Sequence, residues 1–240
     1  MFASSSRPSR AAGNARNSWR KRSFVSAISG SQQSRDPIHL RGRTIRGSRI
    51  DAVPAALYFT DSDEANRLIA EEPVALLIGF ALDQQVTVPT AFVGPQRLKE
   101  RIGDLDPKHI AAMDPADLEA VFRERPAIHR FPGSMARRVQ ELCAVVAEEY
   151  GGDAERVWTE ATDAANLRKR IGALPGFGAM KITGLGSVLA LRFGVEAAQE
   201  LVPDYPCLGK IDSPEALAEY QAAKRAHRET RRQLTQNNPA

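Results

Sequence analysis

The chain has few aromatic residues, two cysteines and no long apolar run. Phe, Trp and Tyr make up 6% of its 240 residues although 42% are hydrophobic, so the core must be built mainly from Leu, Val, Ile and Ala. Cys143 and Cys207 are too few for a disulfide framework and match no zinc or iron–sulfur spacing. The longest apolar candidate, Val74 to Leu82, is far too short to span a membrane. We therefore expect a soluble cytoplasmic protein that needs no metal and no cofactor.

Acidic residues are nearly absent from the first fifty positions. Residues 1–50 hold eleven Lys and Arg and one acid, Asp36, a net charge of +10, whereas the remaining 190 residues hold 22 basic and 28 acidic side chains, a net charge of −6. The segment is rich in Ser, Gly and Ala and lacks periodicity, which predicts a disordered basic tail that neutralises phosphates nonspecifically. Its composition also fits an organellar transit peptide, or a start assigned too far upstream. These alternatives stay open.

From about residue 55 onward the patterns are helical, and no strand pattern is convincing. The predicted helices include Asp63 to Ile69, a buried helix from Val74 to Gln85, and a helix that Pro89 begins or kinks and that runs to Ile102. A further helix runs from Asp114-Pro115 to Arg123, and a last one is opened by Asp212-Ser213-Pro214-Glu215. Between these two lies a long helix capped by Ser134, whose apolar stripe is Met135, Val139, Leu142 and Val146. Cys143 fits the apolar stripe, and His129 fits a surface loop better than a cleft. We predict an all-α protein whose residues 51–240 form one helical domain.

The most specific local pattern is Leu174-Pro175-Gly176-Phe177-Gly178, which separates two helical segments. Asn166 to Leu174 carries apolar residues at helical spacing, and a second apolar face begins at Ala179, so residues 166–194 form a helical hairpin. Glycine accepts positive φ and lets a ligand approach the backbone. Backbone N–H groups and the positive end of the second helix then point at one spot, which suits a DNA phosphate.

A second pattern, Leu82-Asp83-Gln84-Gln85-Val86, lies at the end of the most apolar helix. Together with the hairpin it resembles the helix-hairpin-helix/Gly-Pro-Asp (HhH-GPD) superfamily of base-excision DNA glycosylases, over roughly Val74 to Asp212. The run from Leu57-Tyr58-Phe59-Thr60 through Arg130-Phe131-Pro132-Gly133-Ser134-Met135 looks most like an actinobacterial branch of that superfamily.

The resemblance implies a two-lobed helical fold that binds duplex DNA, in association with the nucleoid. Gln85 takes the position whose side chain enters the duplex near the vacated base, where an amide can donate and accept hydrogen bonds at base edges. The predicted DNA-binding residues are Gln84, Gln85, Pro175, Gly176, Phe177, Gly178, Lys181 and Arg137. The resemblance also implies a site for a monovalent cation at the hairpin.

The resemblance further implies removal of a damaged base, which must leave the stack while positive charge develops on the sugar. In bifunctional members a lysine two residues beyond the second hairpin glycine attacks the sugar. Met180 occupies that position, and Lys181 follows one residue later, which turns a helical side chain by about 100°. We therefore expect Lys181 to point away and contact phosphate, and we expect a monofunctional enzyme without lyase activity.

The catalytic aspartate of the superfamily ends a Gly/Pro-containing loop and begins the next helix. Val202-Pro203-Asp204 is a partial match and Asp212 follows eight residues later, at a spacing longer than the superfamily norm. The plainer interpretation is a turn aspartate for Asp204 and an N-cap for Asp212. Of the two, we favour Asp204 as the catalytic residue, since it follows a proline-containing loop.

The sequence thus predicts a monofunctional DNA N-glycosylase. One alternative is a non-catalytic DNA-binding or lesion-sensing module that keeps the hairpin without the aspartate. A second is a helical protein-interaction domain, which the net charge of −6 outside the tail favours. A basic patch around Arg168, Lys169, Arg170 and Lys181 would argue against that second alternative.

Overall fold

The computed structural model describes residues 53–237, and the side chains of residues 53–226. Every regular element in that range is helical, which confirms the all-α class, while the predicted tail, residues 1–50, lies outside the described residues. The α-helices are α1 Asp63–Glu71, α2 Pro73–Leu82, α3 Val88–Phe92, α4 Gly94–Ile102, α5 Pro107–Ala112, α6 Pro115–Arg123, α7 Pro132–Glu149, α8 Arg156–Thr159, α9 Ala164–Ala173, α10 Ala179–Arg192 and α11 Pro214–Asn237. Two 3₁₀ helices, Glu196–Leu201 and Leu208–Lys210, lie between α10 and α11.

The most apolar helix, α2, is the centre of the first group of helices. Eight of its ten residues are buried, and α2 packs against α1, α3, α4 and α7. Full burial of each large aliphatic or aromatic side chain stabilises the fold by roughly 1.5–3 kcal/mol. The helix ends at Leu82, three residues before the predicted end, because Asp83 leaves the helical conformation and Gln85 has a φ of +57°.

The helix predicted from Pro89 to Ile102 is two helices. The helix α3 begins one residue before Pro89, and α4 begins at Gly94, with Pro95 in its first turn. A proline inside a continuous helix would lack its N–H and would clash with the carbonyl four residues earlier. The second proline therefore starts a new helix instead of continuing the first.

The predicted cap of the long helix is wrong. The helix α7 begins at Pro132, two residues before Ser134, because proline is well suited to the first helical position. Ser134 lies in the first turn, where its hydroxyl donates to the Phe131 carbonyl at 3.3 Å. The apolar stripe of this helix is buried as predicted, and Cys143 on the same helix is fully buried in the core.

The predicted role of Asp212 as the cap of the last helix is also wrong. The hydroxyl of Ser213 accepts a hydrogen bond from the backbone N–H of Ala216 at 3.2 Å, which is the contact expected of an N-cap residue. Asp212 is exposed and lies one residue before the cap. The helix α11 begins at Pro214, directly after Ser213 and one residue later than a cap at Asp212 would place it.

The helices form two groups that share one hydrophobic core. The first group is α1–α7, and the second contains α8–α10 and the two 3₁₀ helices, which pack against α9 and α10. Phe80 of α2 and Phe177 of the hairpin join the groups, with ring centroids 6.5 Å apart. Among the described helices, none is both long enough and apolar enough to cross a membrane.

Candidate nucleic-acid interface

The hairpin turn occupies residues 174–178, between the end of α9 and the start of α10. Gly176 has a φ of +82°, and the Phe177 N–H closes the turn on the Leu174 carbonyl at 3.1 Å. Gly178 is the N-cap of α10 with an extended conformation, and a Cβ added to it would meet no atom within 4 Å. The positive end of a 14-residue helix therefore faces open space. This arrangement suits an anion such as a phosphate.

The two apolar residues of the turn have different exposures. Phe177 is 5% exposed, so its ring anchors the turn against α2. Pro175 is half-buried. The turn thus offers its backbone, more than its apolar side chains, to a ligand on the open side.

Gln84 and Gln85 occupy the loop after α2 and point in different directions. Gln85 is exposed and holds its positive φ as a non-glycine residue, an uncommon conformation that marks functional sites in many proteins. Gln84 is held by two partners: its side-chain oxygen accepts a hydrogen bond from Arg138, and its backbone carbonyl accepts one from His129 Nε2 at 3.1 Å.

His129 is buried, with 2% of its surface exposed, so the prediction of a surface-loop histidine is wrong. Nδ1 accepts the Phe131 N–H at 3.1 Å while Nε2 donates to Gln84, which together require the neutral ring. Burial lowers the pKa of His129, and the nearby charges of Arg130 and Arg138 lower it further. No local pattern predicts this burial, because the partner residue lies 45 positions away.

Arg138 of α7 connects the glutamine loop to the hairpin. Its guanidinium donates to the side chain of Gln84. A Cβ added to Gly176 would lie 2.7 Å from the Cδ of Arg138. Gly176 is therefore required both for its positive φ and for the close approach of this arginine. Arg137, the residue predicted to bind DNA, is exposed on the same helix.

A cleft of about 280 Å³ lies between the loop after α2, the start of α10 and the start of α11. That volume is close to the lower end of the range for small-ligand pockets, roughly 300 Å³. Its polar and exposed lining side chains include those of Asp83, Gln85, Met180, Lys181, Tyr205, Tyr220 and Lys224. The same cleft is therefore lined by Gln85 of the glutamine motif and by Lys181, which follows the hairpin motif.

One wall of the cleft is fixed by a close backbone contact. Gly209 lies against the backbone of Ser187, where any Cβ would clash, and its N–H donates to the Ser187 hydroxyl at 3.2 Å. Cys207 and Leu208, which line the cleft, precede this contact. The segment before α11 is thereby held against α10.

The expected direction of Lys181 is wrong, because both Met180 and Lys181 line the cleft. The Lys181 ammonium donates to the Ala81 carbonyl at 3.0 Å, at the C-terminal end of α2. Burial lowers the pKa of Lys181 to about 8; the charge of Arg138 lowers it too, and that of Asp83 raises it. A long flexible side chain can reach this carbonyl in spite of its helical position. Met180 is 77% exposed.

The two predicted catalytic aspartates are exposed and are not part of the cleft lining. Asp204 directly precedes Tyr205, which does line the cleft. Asp212 lies beyond the 3₁₀ helix Leu208–Lys210. The carboxylate that lines the cleft belongs to Asp83, a residue whose position beside the two glutamines could have identified it from the sequence.

The basic residues on α9 form only part of the predicted patch. Arg168 and Lys169 are exposed, but Arg170 is bound to Glu160 at 2.8 Å and to the Val157 carbonyl at 2.9 Å. Lys181 faces the cleft. Of the four residues of the predicted patch, Arg168 and Lys169 are therefore the two that are exposed near the hairpin.

Comparison with known families adds one match. The model of the HhH-GPD superfamily base excision DNA repair protein matches residues 78–204, more than half of the chain. That range begins inside α2 and includes the glutamine loop, the arginine of α7, the hairpin and Asp204. No curated protein and no solved structure matches the chain.

Proposed function

Because the chain belongs to the HhH-GPD superfamily of base excision DNA repair proteins, we propose that it is a monofunctional DNA N-glycosylase. It binds duplex DNA, takes a damaged base out of the stack and hydrolyses the bond that joins the base to its sugar. Its proposed location is with the DNA, at the nucleoid. The observation that carries this proposal is that Gln85 lines the same cleft as the start of the hairpin's second helix.

The hairpin supports the binding step. A phosphate at the N-terminus of α10 receives the backbone N–H groups of its first turn, where Gly178 leaves the approach open. Such contacts position a protein on DNA without reading its sequence. Pro175 and Phe177 shape the turn, and exposed Arg137 is proposed as a further phosphate contact. The monovalent cation predicted at the hairpin stays a prediction.

The glutamine loop supports base extrusion. Gln85 is exposed beside the cleft, while Gln84 is fixed by Arg138 and His129 and so holds the loop in position. An extruded base leaves a gap in the duplex, and an amide placed there can bond to the edges of the remaining base. The cleft that Gln85 lines, of about 280 Å³, is the proposed site of the extruded base.

Hydrolysis requires a carboxylate near the sugar, to stabilise positive charge or to activate water. Asp204 remains the residue that the superfamily pattern assigns, with Asp212 as the second candidate. The family match ends at Asp204, and Tyr205 beside it lines the cleft. Asp204 itself is exposed and is not part of the cleft lining.

The residues at the start of α10 support the proposed absence of lyase activity. Met180, which has no nucleophile, occupies the position of the lysine in bifunctional members. The Lys181 ammonium, one residue later, donates to the Ala81 carbonyl at the end of α2. It would have to release that hydrogen bond and lose a proton before it could attack a sugar carbon.

The second candidate function is that of a non-catalytic DNA-binding or lesion-sensing module. The exposure of Asp204 and Asp212, outside the lining of the cleft, favours it. Such a module would keep the hairpin and the glutamine loop and would bind damaged duplexes without releasing a base.

A panel of duplexes, each with one damaged base, tests the proposal. The expected result is release of one class of base and strand cleavage only after hot alkali, because a monofunctional enzyme leaves an intact abasic strand. Borohydride should trap no protein–DNA adduct, since no Schiff base forms. A trapped adduct would contradict the monofunctional assignment. Binding without release from any duplex would favour the lesion-sensing module.

A further inference from the structure

We propose that Asp83 supplies the carboxylate that acts on the sugar of the extruded nucleotide. This assignment rests on the proposed glycosylase function and deepens it. Among the described residues that line the cleft, Asp83 alone carries a carboxylate, and it is two residues from Gln85. It therefore lies on the wall of the cleft that the proposed function assigns to the extruded nucleotide, whereas Asp204 lies outside that lining.

The backbone fixes Asp83 at the end of α2. Its N–H donates to the carbonyls of Gly79 at 3.1 Å and Phe80 at 3.3 Å, so the residue is the C-cap of a buried helix. Sites built on helices are more precisely positioned than sites on mobile loops. The carboxylate thus has a rigid base in the core, in contrast to the exposed turn of Asp204.

The location of Asp83 is unfavourable for stability. A negative charge at a helix C-terminus opposes the macrodipole, where a cation would be favoured by roughly 0.3–1 kcal/mol. Residues that break a local rule in this way concentrate at functional sites. Lys181 supplies the missing cation: its ammonium binds the last turn of α2 through the Ala81 carbonyl. The charge of Asp83 raises the pKa of Lys181, against the larger effect of burial.

The proposed step is a hydrolysis. The bond between C1′ and the base nitrogen breaks, and its electron pair leaves with the base. The Asp83 carboxylate stabilises the positive charge on the sugar and accepts a proton from a water molecule, whose oxygen bonds to C1′. That proton passes to the departing base, so the products are a free base and an abasic sugar, and Asp83 is again ionised. Lys181 is a positioning residue, whose ammonium binds the last turn of the helix that ends at Asp83.

The test measures excision on the duplex that the unmutated protein cleaves best. Asp83→Asn keeps the shape and removes the charge, so excision should fall by about 100-fold or more, in line with the usual contribution of a general base. The dissociation constant for the same duplex should change little. The midpoint of thermal unfolding should change little, because the unfavourable charge at the helix end and its attraction to the Lys181 ammonium are lost together. A purely structural role for Asp83 predicts that stability falls together with activity.

Two further variants make the result decisive. Asp117→Asn removes a carboxylate from an exposed site on α6, away from the cleft, and should leave excision unchanged. Excision by Asp204→Asn is measured in the same assay. Excision that survives Asp83→Asn but is lost in Asp204→Asn would overturn the assignment and leave the proposed function intact. If the unmutated protein excises nothing from any duplex, the proposed function itself fails, and the assignment fails with it.

Discussion

Replacing Lys181 by Met should change how the stability of the fold depends on pH. The lysine ammonium is partly buried between α10 and the end of α2, and burial lowers its pKa from 10.5 to about 8. Below pH 8 the lysine is charged in both states, and the folded protein bears the cost of burying that charge. Between pH 8 and 10.5 the unfolded chain binds more protons than the folded one, so the free energy of unfolding rises with pH. Above pH 10.5 the contribution is constant.

The size of the effect follows from the pKa. Each pKa unit corresponds to 1.36 kcal/mol, so a change from 10.5 to about 8 gives an upper limit of about 3 kcal/mol. Solvent that reaches the partly exposed side chain reduces this value, and we expect about 1–3 kcal/mol. Methionine has no charge to lose, so the stability of Lys181→Met relative to the unmutated protein should be highest at pH 7 and should decline by that amount toward pH 10.5.

Urea unfolding at several pH values between 7 and 10.5 measures this difference. Other groups titrate in the same range, so the informative quantity is the difference between the two proteins at each pH. Lys169→Met is the matched control, because it removes the same charge from an exposed position on α9. If the difference between Lys181→Met and the unmutated protein stays constant across this range, the ammonium is not buried as described.

Three further outcomes are expected. Gly178→Asp should abolish binding to duplex DNA, because the new carboxylate would repel a phosphate, but the helices should be retained, because Gly178 is extended and open and aspartate is a good N-cap. Unchanged affinity, or an equal loss of affinity in the neutral variant Gly178→Ser, would contradict the charge argument. Removing residues 1–50 should weaken DNA binding and reduce its salt dependence without changing any preference for damaged duplexes; equal salt slopes would exclude phosphate binding by this segment. Ser213→Ala should lower the free energy of unfolding in urea by about 1 kcal/mol, because the Ala216 N–H loses its cap, and Asp212→Asn should lower it by less. A larger loss in Asp212→Asn than in Ser213→Ala would restore Asp212 as the cap.

The fold could be predicted from the sequence because its determinants are local. Apolar spacing identified the helices, Asp114 caps α6 as its pattern suggests, and the five residues of the hairpin turn specify their own geometry. The errors at helix ends came from competition between neighbouring residues. Pro132 starts α7 ahead of Ser134, and Ser213 caps α11 in place of Asp212.

The candidate site could be predicted only in part, because it depends on contacts between distant residues. The hydrogen bond from Lys181 to Ala81 spans 100 positions, and that from Arg138 to Gln84 spans 54. Helical periodicity gives the direction of a Cβ, but it does not show where a long side chain ends. The burial of His129 was missed for the same reason.

The two motifs function as one site only if their relative position is fixed, and three contacts fix it. Phe177 packs on Phe80, Lys181 binds the end of the same helix, and Arg138 joins the glutamine loop to the turn. The aromatic contact and the Lys181 hydrogen bond connect the hairpin to α2, and Arg138 packs against the turn while it donates to Gln84. The hairpin and the glutamine loop are thereby held in a fixed relative position. Under the proposed function, a phosphate bound at the hairpin would therefore set where Gln85 meets the duplex, and binding energy gained on the backbone would help to hold one nucleotide over the cleft.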